Sequence, residues 1–225
     1  DDDDTPADAE GTGGADASAD SGSAADAESN PMAAMRAAQH GDVLSAQVMM
    51  KADKISQTGA GKVVAIIDTG VDMSHPAFSG ALHGTPAIDS SKGAALARQV
   101  GKSGTYVNQK FPFAYDYADG DNDASPAGSH GTHVAGIIAA RGQNRQGIAG
   151  VSDLAAIQPI RVLGRCGGQT SDIADAIMWA AGGHINGVPD NKHPAQIINL
   201  SLGGVRACPN AYQKAINFAL SKGAI

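Results

Sequence analysis

From Val63 to Ile67 the chain reads VVAII, five apolar residues in a row, with Gly61 before them and Asp68 closing the run. A strand with one wet face would alternate. An unbroken run of this length predicts a strand buried on both faces, as in a parallel sheet. AAIQPIRVL (155–163) and AQIINLSL (195–202) read the same way. Between them the spacing changes to that of helices. TSDIADAIMWAA (170–181) opens with Thr170 and Ser171 as caps and repeats apolar residues at Ile173, Ile177 and Ala180 or Ala181. PNAYQKAINFALSK (209–222) begins with proline, runs amphipathically and stops before Gly223. HGTHVAGIIAAR (130–141) is small and apolar, which predicts a tightly packed helix. SSKGAALARQVGK (90–102) has helical spacing behind a serine cap. TYVNQKFPFAYDY (105–117) alternates like a strand or hairpin, and DVLSAQVMMKADKI (42–55) predicts a short lead-in helix. Strands alternating with helices predict an α/β fold with a mostly parallel sheet flanked by helices. No internal repeat is present.

Composition changes this picture at one end. Residues 1–30 hold ten Asp and Glu and no Lys or Arg, so the net charge of −7 belongs to a tail and the rest carries +3. The tail has no aromatic residue and no Leu, Ile or Val. It cannot bury enough surface to offset ordering entropy, so residues 1–30 are expected to be disordered and 31–225 to form the folded part. No basic stripe points to nucleic acid, and no apolar run is long enough for a membrane-spanning helix. The chain opens with Asp, so its first residue is not expected to be a gene start, and a signal peptide upstream is compatible with it. The two cysteines, Cys166 and Cys208, read either as two buried free thiols or as a disulfide, which would contribute on the order of 4 kcal/mol.

Asp68-Thr69-Gly70 raises the question of chemistry. An aspartic protease needs two carboxylates sharing a proton. The other candidate, DSGS at Asp20–Ser23, lies in the acidic tail with no strand before it. A homodimer could supply a second copy, but that architecture is all-β. GSHGTHVAGIIAA (128–140) offers another partner: a histidine followed by Gly and Thr, opening a helix of small residues. Aspartate first and histidine about 60 residues later is the chain order of one serine-protease triad. There the histidine takes a serine proton, and the buried carboxylate fixes its tautomer and stabilises the imidazolium.

VVAIIDTGVDMSHPAF, SHGTHVAGIIAA, GIAGVS, IRVL and IINLSLGG together resemble, in order, the blocks of the subtilisin-like serine proteases, or subtilases. The resemblance runs from about residue 42 to the end. It implies peptide-bond hydrolysis by an Asp-His-Ser triad, with Asp68 as the triad aspartate and His130 as the general base. His133 is then expected to pack and His75 to be structural, while His40, His83, His184 and His193 default to solvated surface. SLGG (201–204) resembles the strand edge of the substrate cleft, and CGGQ (166–169) the segment facing it. An extended polypeptide substrate would lie between Gly167–Gly168 and Ser201, Leu202 and Gly203, paired by strand addition.

The family's later asparagine block and its Gly-Thr-Ser nucleophile block do not occur in these residues. Ser129, Ser152, Ser171, Ser201 and Ser221 sit in loops, turns, helix ends or the binding strand and do not replace them. The expectation is an N-terminal portion of a subtilase catalytic domain, inactive by itself. The alternative is a naturally truncated peptide-binding or regulatory module without catalysis. Asp116, Asp119, Asp121 and Asp123 crowd one loop, a pattern suiting Ca2+ or a solvated acidic loop. It resembles the calcium-holding loop before the histidine in thermitase-like subtilases. A second family calcium site is not expected, because Ala77 stands where many subtilisins have a ligating aspartate. HxxH at His130 and His133 lacks the adjacent Glu of a zinc motif. Cys166 and Cys208 look like the secreted bacterial branch, in which a disulfide ties these loops; residues 104–123 look like the cell-envelope proteinases. Both imply export to the extracellular space or cell envelope.

Overall fold

The structure is a computed structural model and describes residues 47–80, 87–88, 91, 108–121, 123–142, 144, 147–205 and 207–225. The acidic tail and the helix expected over 90–102 fall outside these residues, apart from Ser91. Among the described residues there are four strands: β1 (Val63–Asp68), β2 (Tyr115–Asp116), β3 (Ala156–Arg161) and β4 (Ile197–Asn199). They form one sheet in the order β2-β3-β1-β4, with every pairing parallel. The helices are α1 (His130–Ala139), α2 (Thr170–Ala180) and α3 (Asn210–Ser221). The expected α/β class, a parallel sheet accompanied by helices, is therefore the observed one.

β1 shows why the apolar run is unbroken. All six of its residues are buried. Val63, Ala65 and Ile67 join the cluster built on α2 and α3, with Trp179, Ile177 and Ala215. Val64 and Ile66 face the other way and join Ala135 and Ala139 of α1 and Phe78. Fully burying an isoleucine contributes roughly 1.5–3 kcal/mol, so Ile66 and Ile67 bind opposite layers to one strand. The two-residue period then decides where the chemistry goes: Asp68 lies on the face of Val64 and Ile66, the face covered by α1.

The alternating segment over 105–117 is only partly a strand. Among its described residues, strand pairing is confined to Tyr115–Asp116. Phe111 packs edge-on against Phe78, with ring centroids 5.1 Å apart, in the α1 layer. Phe113 stacks on Trp179 at 5.0 Å in the opposite layer. Residues two apart on a regular strand share a face, so these two rings, serving two cores, require irregular backbone between them. The lead-in residues give a helical stretch at 47–49 and a 3-10 turn at Ala52–Lys54. Buried Gln47 ties this segment down by donating its amide to the Ala149 carbonyl at 2.8 Å.

Candidate active site

Asp68 ends β1 with no exposed surface. His130 is the first residue of α1, and its Nδ1 lies 2.8 Å from Asp68 Oδ1 and 3.0 Å from Oδ2. The His130 side chain is 55% exposed, so a buried carboxylate holds one edge of a ring whose other edge reaches solvent. The backbone amide of Thr69 also donates to Asp68 Oδ1, at 2.7 Å. A carboxylate accepting several such bonds keeps a fixed orientation without needing water.

Two glycines let the strand end and the helix start approach this closely. Gly70 has φ +89°, and a Cβ there would lie 2.6–2.7 Å from the carbonyl oxygens of Ser125 and Ala124. A Cβ on Gly131 would strike the Gly70 carbonyl oxygen and press on the Asp68 side chain at 3.2 Å. Gly131→Ala is therefore expected to push α1 off the Asp68 loop and to cost about 1–3 kcal/mol, the range for overpacking. A thermal melt of the variant checks this, and an unchanged melting temperature would show that the contact can relax freely.

The remaining predicted site residues converge on one cleft of about 780 Å3. His130, Gly167, Gly168, Ser201, Leu202 and Gly203 all line it. Leu163, Ile173, Ile177 and Tyr212 line it as well and give it an apolar wall, which sequence reasoning did not assign. Ile173 and Ile177 stand one helical turn apart on α2, the spacing that marks them as apolar on one face. Periodicity does not separate a core stripe from a cleft wall.

The acidic loop is tied to a cationic side chain on β3. Arg161, the register partner of Asp68 in β3, donates to Asp116 Oδ2 at 2.6 Å and to Asp119 Oδ2 at 2.8 Å. Burial pushes the Asp116 carboxyl above its usual range, opposed by the amides of Ala118 and Asp119 and by Arg161. Asp121 Oδ1 and Asp123 Oδ1 are turned onto the backbone amides of Asp123 and Ser125. Among the described residues no group of three or more His, Cys, Asp or Glu is placed to hold a metal. The Arg161 guanidinium thus offsets the charge of Asp116 and Asp119.

Cys166 and Cys208 are exposed free thiols, not buried ones, and both line the cleft. His75 is structural: its Nδ1 accepts from the Ala77 amide at 3.2 Å and caps the turn Pro76–Phe78. His133 is exposed at a second hollow beside His75, not packed as expected. His184 is exposed but pairs with Asp190 at 2.8 Å, and that hydrogen bond raises its pKa.

The model of the subtilase family matches residues 59–225. The chain belongs to the subtilase family. An extracellular protease of Xanthomonas campestris is 42% identical over 167 residues, 74% of this chain and 28% of that protein. An extracellular basic protease of Dichelobacter nodosus is 40% identical over 183 residues, 78% of this chain and 30% of that protein. Among solved structures, a protease of Pseudoalteromonas arctica superposes with a TM-score of 0.52 at 34% identity, covering 75% of this chain and 49% of that one. The subtilase match thus spans less than a third of the length of these two curated relatives. The matched residues include both Asp68 and His130.

Proposed function

We propose that this chain carries the aspartate and histidine of a serine endopeptidase triad, and that the nucleophilic serine and oxyanion donor lie in polypeptide outside Asp1–Ile225. The observation that carries the reading is the paired bond from His130 Nδ1 to the fully buried Asp68. Asp68 fixes the tautomer with the proton on Nδ1. His130 Nε2 is then free to accept the serine proton as the hydroxyl oxygen attacks the scissile carbonyl. It returns that proton to the leaving amine, while Asp68 stabilises the imidazolium. The substrate is an extended polypeptide laid between Gly167–Gly168 and Ser201–Gly203, its backbone bonded by strand addition and its side chains received by the apolar wall of the cleft. The relatives named extracellular support a location outside the cell or at its envelope. Among the described residues no helix is long and apolar enough to cross a membrane.

A fluorophosphonate probe tests the reading. The 225-residue chain is expected to remain unlabelled and to leave casein intact, whereas a longer polypeptide carrying the serine block is labelled. Labelling of the shorter chain would overturn the placement of the nucleophile. A longer chain that contains the block and stays unlabelled would overturn the enzyme assignment in favour of a non-catalytic peptide-binding module.

A further inference from the structure

The helix that presents His130 lacks a cap of its own. Ser129 occupies its N-cap position with helical backbone angles (φ −73°, ψ −15°) and makes no side-chain cap hydrogen bond. The first amides of a helix need acceptors. One of them, Gly131 N, finds its acceptor 62 residues away: the Thr69 hydroxyl, at 3.0 Å. The same hydroxyl donates to the Gly128 carbonyl at 3.3 Å. A second bond crosses in the opposite sense. The Asp72 amide, in the loop after β1, donates to the hydroxyl of Thr132 on α1 at 2.9 Å. Each segment therefore caps the other with a threonine. Thr69 is also the residue whose amide holds Asp68 Oδ1.

We propose that Thr69 and Thr132 are reciprocal positioning residues that set the Asp68–His130 distance. The proposal rests on the Asp–His reading above. Thr69 acts through two atoms at once, its amide orienting the carboxylate and its hydroxyl fixing the first turn of α1. Thr132 prevents the rotation that remains, because its bond to Asp72 lies one residue further along the helix and three residues further along the loop. A hydroxyl shared between the two segments makes helix capping and site assembly one event. An ordinary cap at Ser129 would stabilise α1 whether or not it was docked on Asp68.

The test uses nitrogen-15-labelled protein and two readouts: the His130 Nδ1–H resonance and the hydrogen-exchange rates of individual amides. The variants are Thr69→Val, Thr132→Val and Thr69→Ser. Valine keeps the shape and removes the hydroxyl; serine keeps the hydroxyl. Thr69→Val is expected to speed Gly131 exchange by roughly fivefold or more, the size of a lost cap, and to broaden or abolish the Nδ1–H signal. Thr132→Val is expected to do the same at Asp72 in place of Gly131. Thr69→Ser should restore both readouts. A sharp, unchanged Nδ1–H signal in both valine variants overturns the proposal. So does an even loss of protection across β1 and β3 in both, which marks a general structural role, and so does failure of Thr69→Ser to rescue. Absence of the Nδ1–H signal from the unsubstituted protein would instead overturn the Asp–His reading itself.

Discussion

In the enzyme that includes the serine, Asp68→Asn is expected to lower kcat by roughly 10^4 with little change in KM. The carboxylate is fully buried and bonds His130 Nδ1 through both oxygens, at 2.8 and 3.0 Å. Asparagine fills the same volume and can still accept from the Thr69 amide, so the fold has no reason to change. Its amide nitrogen is a donor, however, and Nδ1 must then become an acceptor. The ring proton moves to Nε2, the atom required to take the serine proton. The base is thus held in the correct place in the wrong tautomer, and the loss falls on the chemical step and not on binding. Steady-state hydrolysis of a peptide anilide, with a thermal melt alongside, measures this. A loss below tenfold in a well-folded variant would remove Asp68 from the triad.

The same pair shows how much the sequence reveals. The apolar run before Asp68 specifies a doubly buried strand, and HGTH opens a helix. Their order along the chain is enough to suggest that they meet. The two-residue period even fixes the side of the sheet on which they do so. What the sequence does not reveal is how the two segments are joined. Thr69 and Thr132 look like ordinary members of short motifs, and Ser129 reads as a loop residue. Only the geometry shows the cap supplied from another element. The acidic loop is a second such case. Four aspartates within eight residues read as an anion cluster wanting a cation. Arg161, 38 residues beyond Asp123 and on a different strand, answers two of those charges, on Asp116 and Asp119. Long-range pairing of this kind leaves no periodic trace. The irregular path through Phe111 and Phe113 is a third: each ring follows its own core, and tertiary packing overrides the local alternation.

Lys110→Met is expected to destabilise the protein at pH 10 and to be about 4 kcal/mol more favourable at pH 6 than at pH 10. Lys110 is 1% exposed, and its ammonium donates to two backbone carbonyls, Asp153 O at 2.9 Å and Ala155 O at 2.8 Å. Burial is the largest cause pulling its pKa down to about 7; neighbouring Arg141 pulls the same way and Asp153 opposes both. In the unfolded chain the group titrates at its ordinary value of 10.5. Below pH 7 both states are charged, and the folded one carries the full cost of a buried ammonium. Between pH 7 and 10.5 the unfolded chain holds a proton that the folded one has released, so stability rises with pH. Above 10.5 both are neutral and the cost has vanished. Over that window the pH-dependent part is on the order of 4 kcal/mol. Methionine, similar in length, removes it. The substitution also leaves two carbonyls without their donor, at about 1–3 kcal/mol each, independent of pH. The first effect is nearly full in acid and nearly absent in alkali, so the difference between the two proteins shifts by about 4 kcal/mol in favour of the variant from pH 10 to pH 6. Urea unfolding of both at pH 6, 8 and 10 measures it, because titrating groups that do not interact with Lys110 cancel in the difference. A difference that stays constant across that range would mean that Lys110 keeps its proton when folded, and that the carbonyls of Asp153 and Ala155 solvate the charge as well as water does.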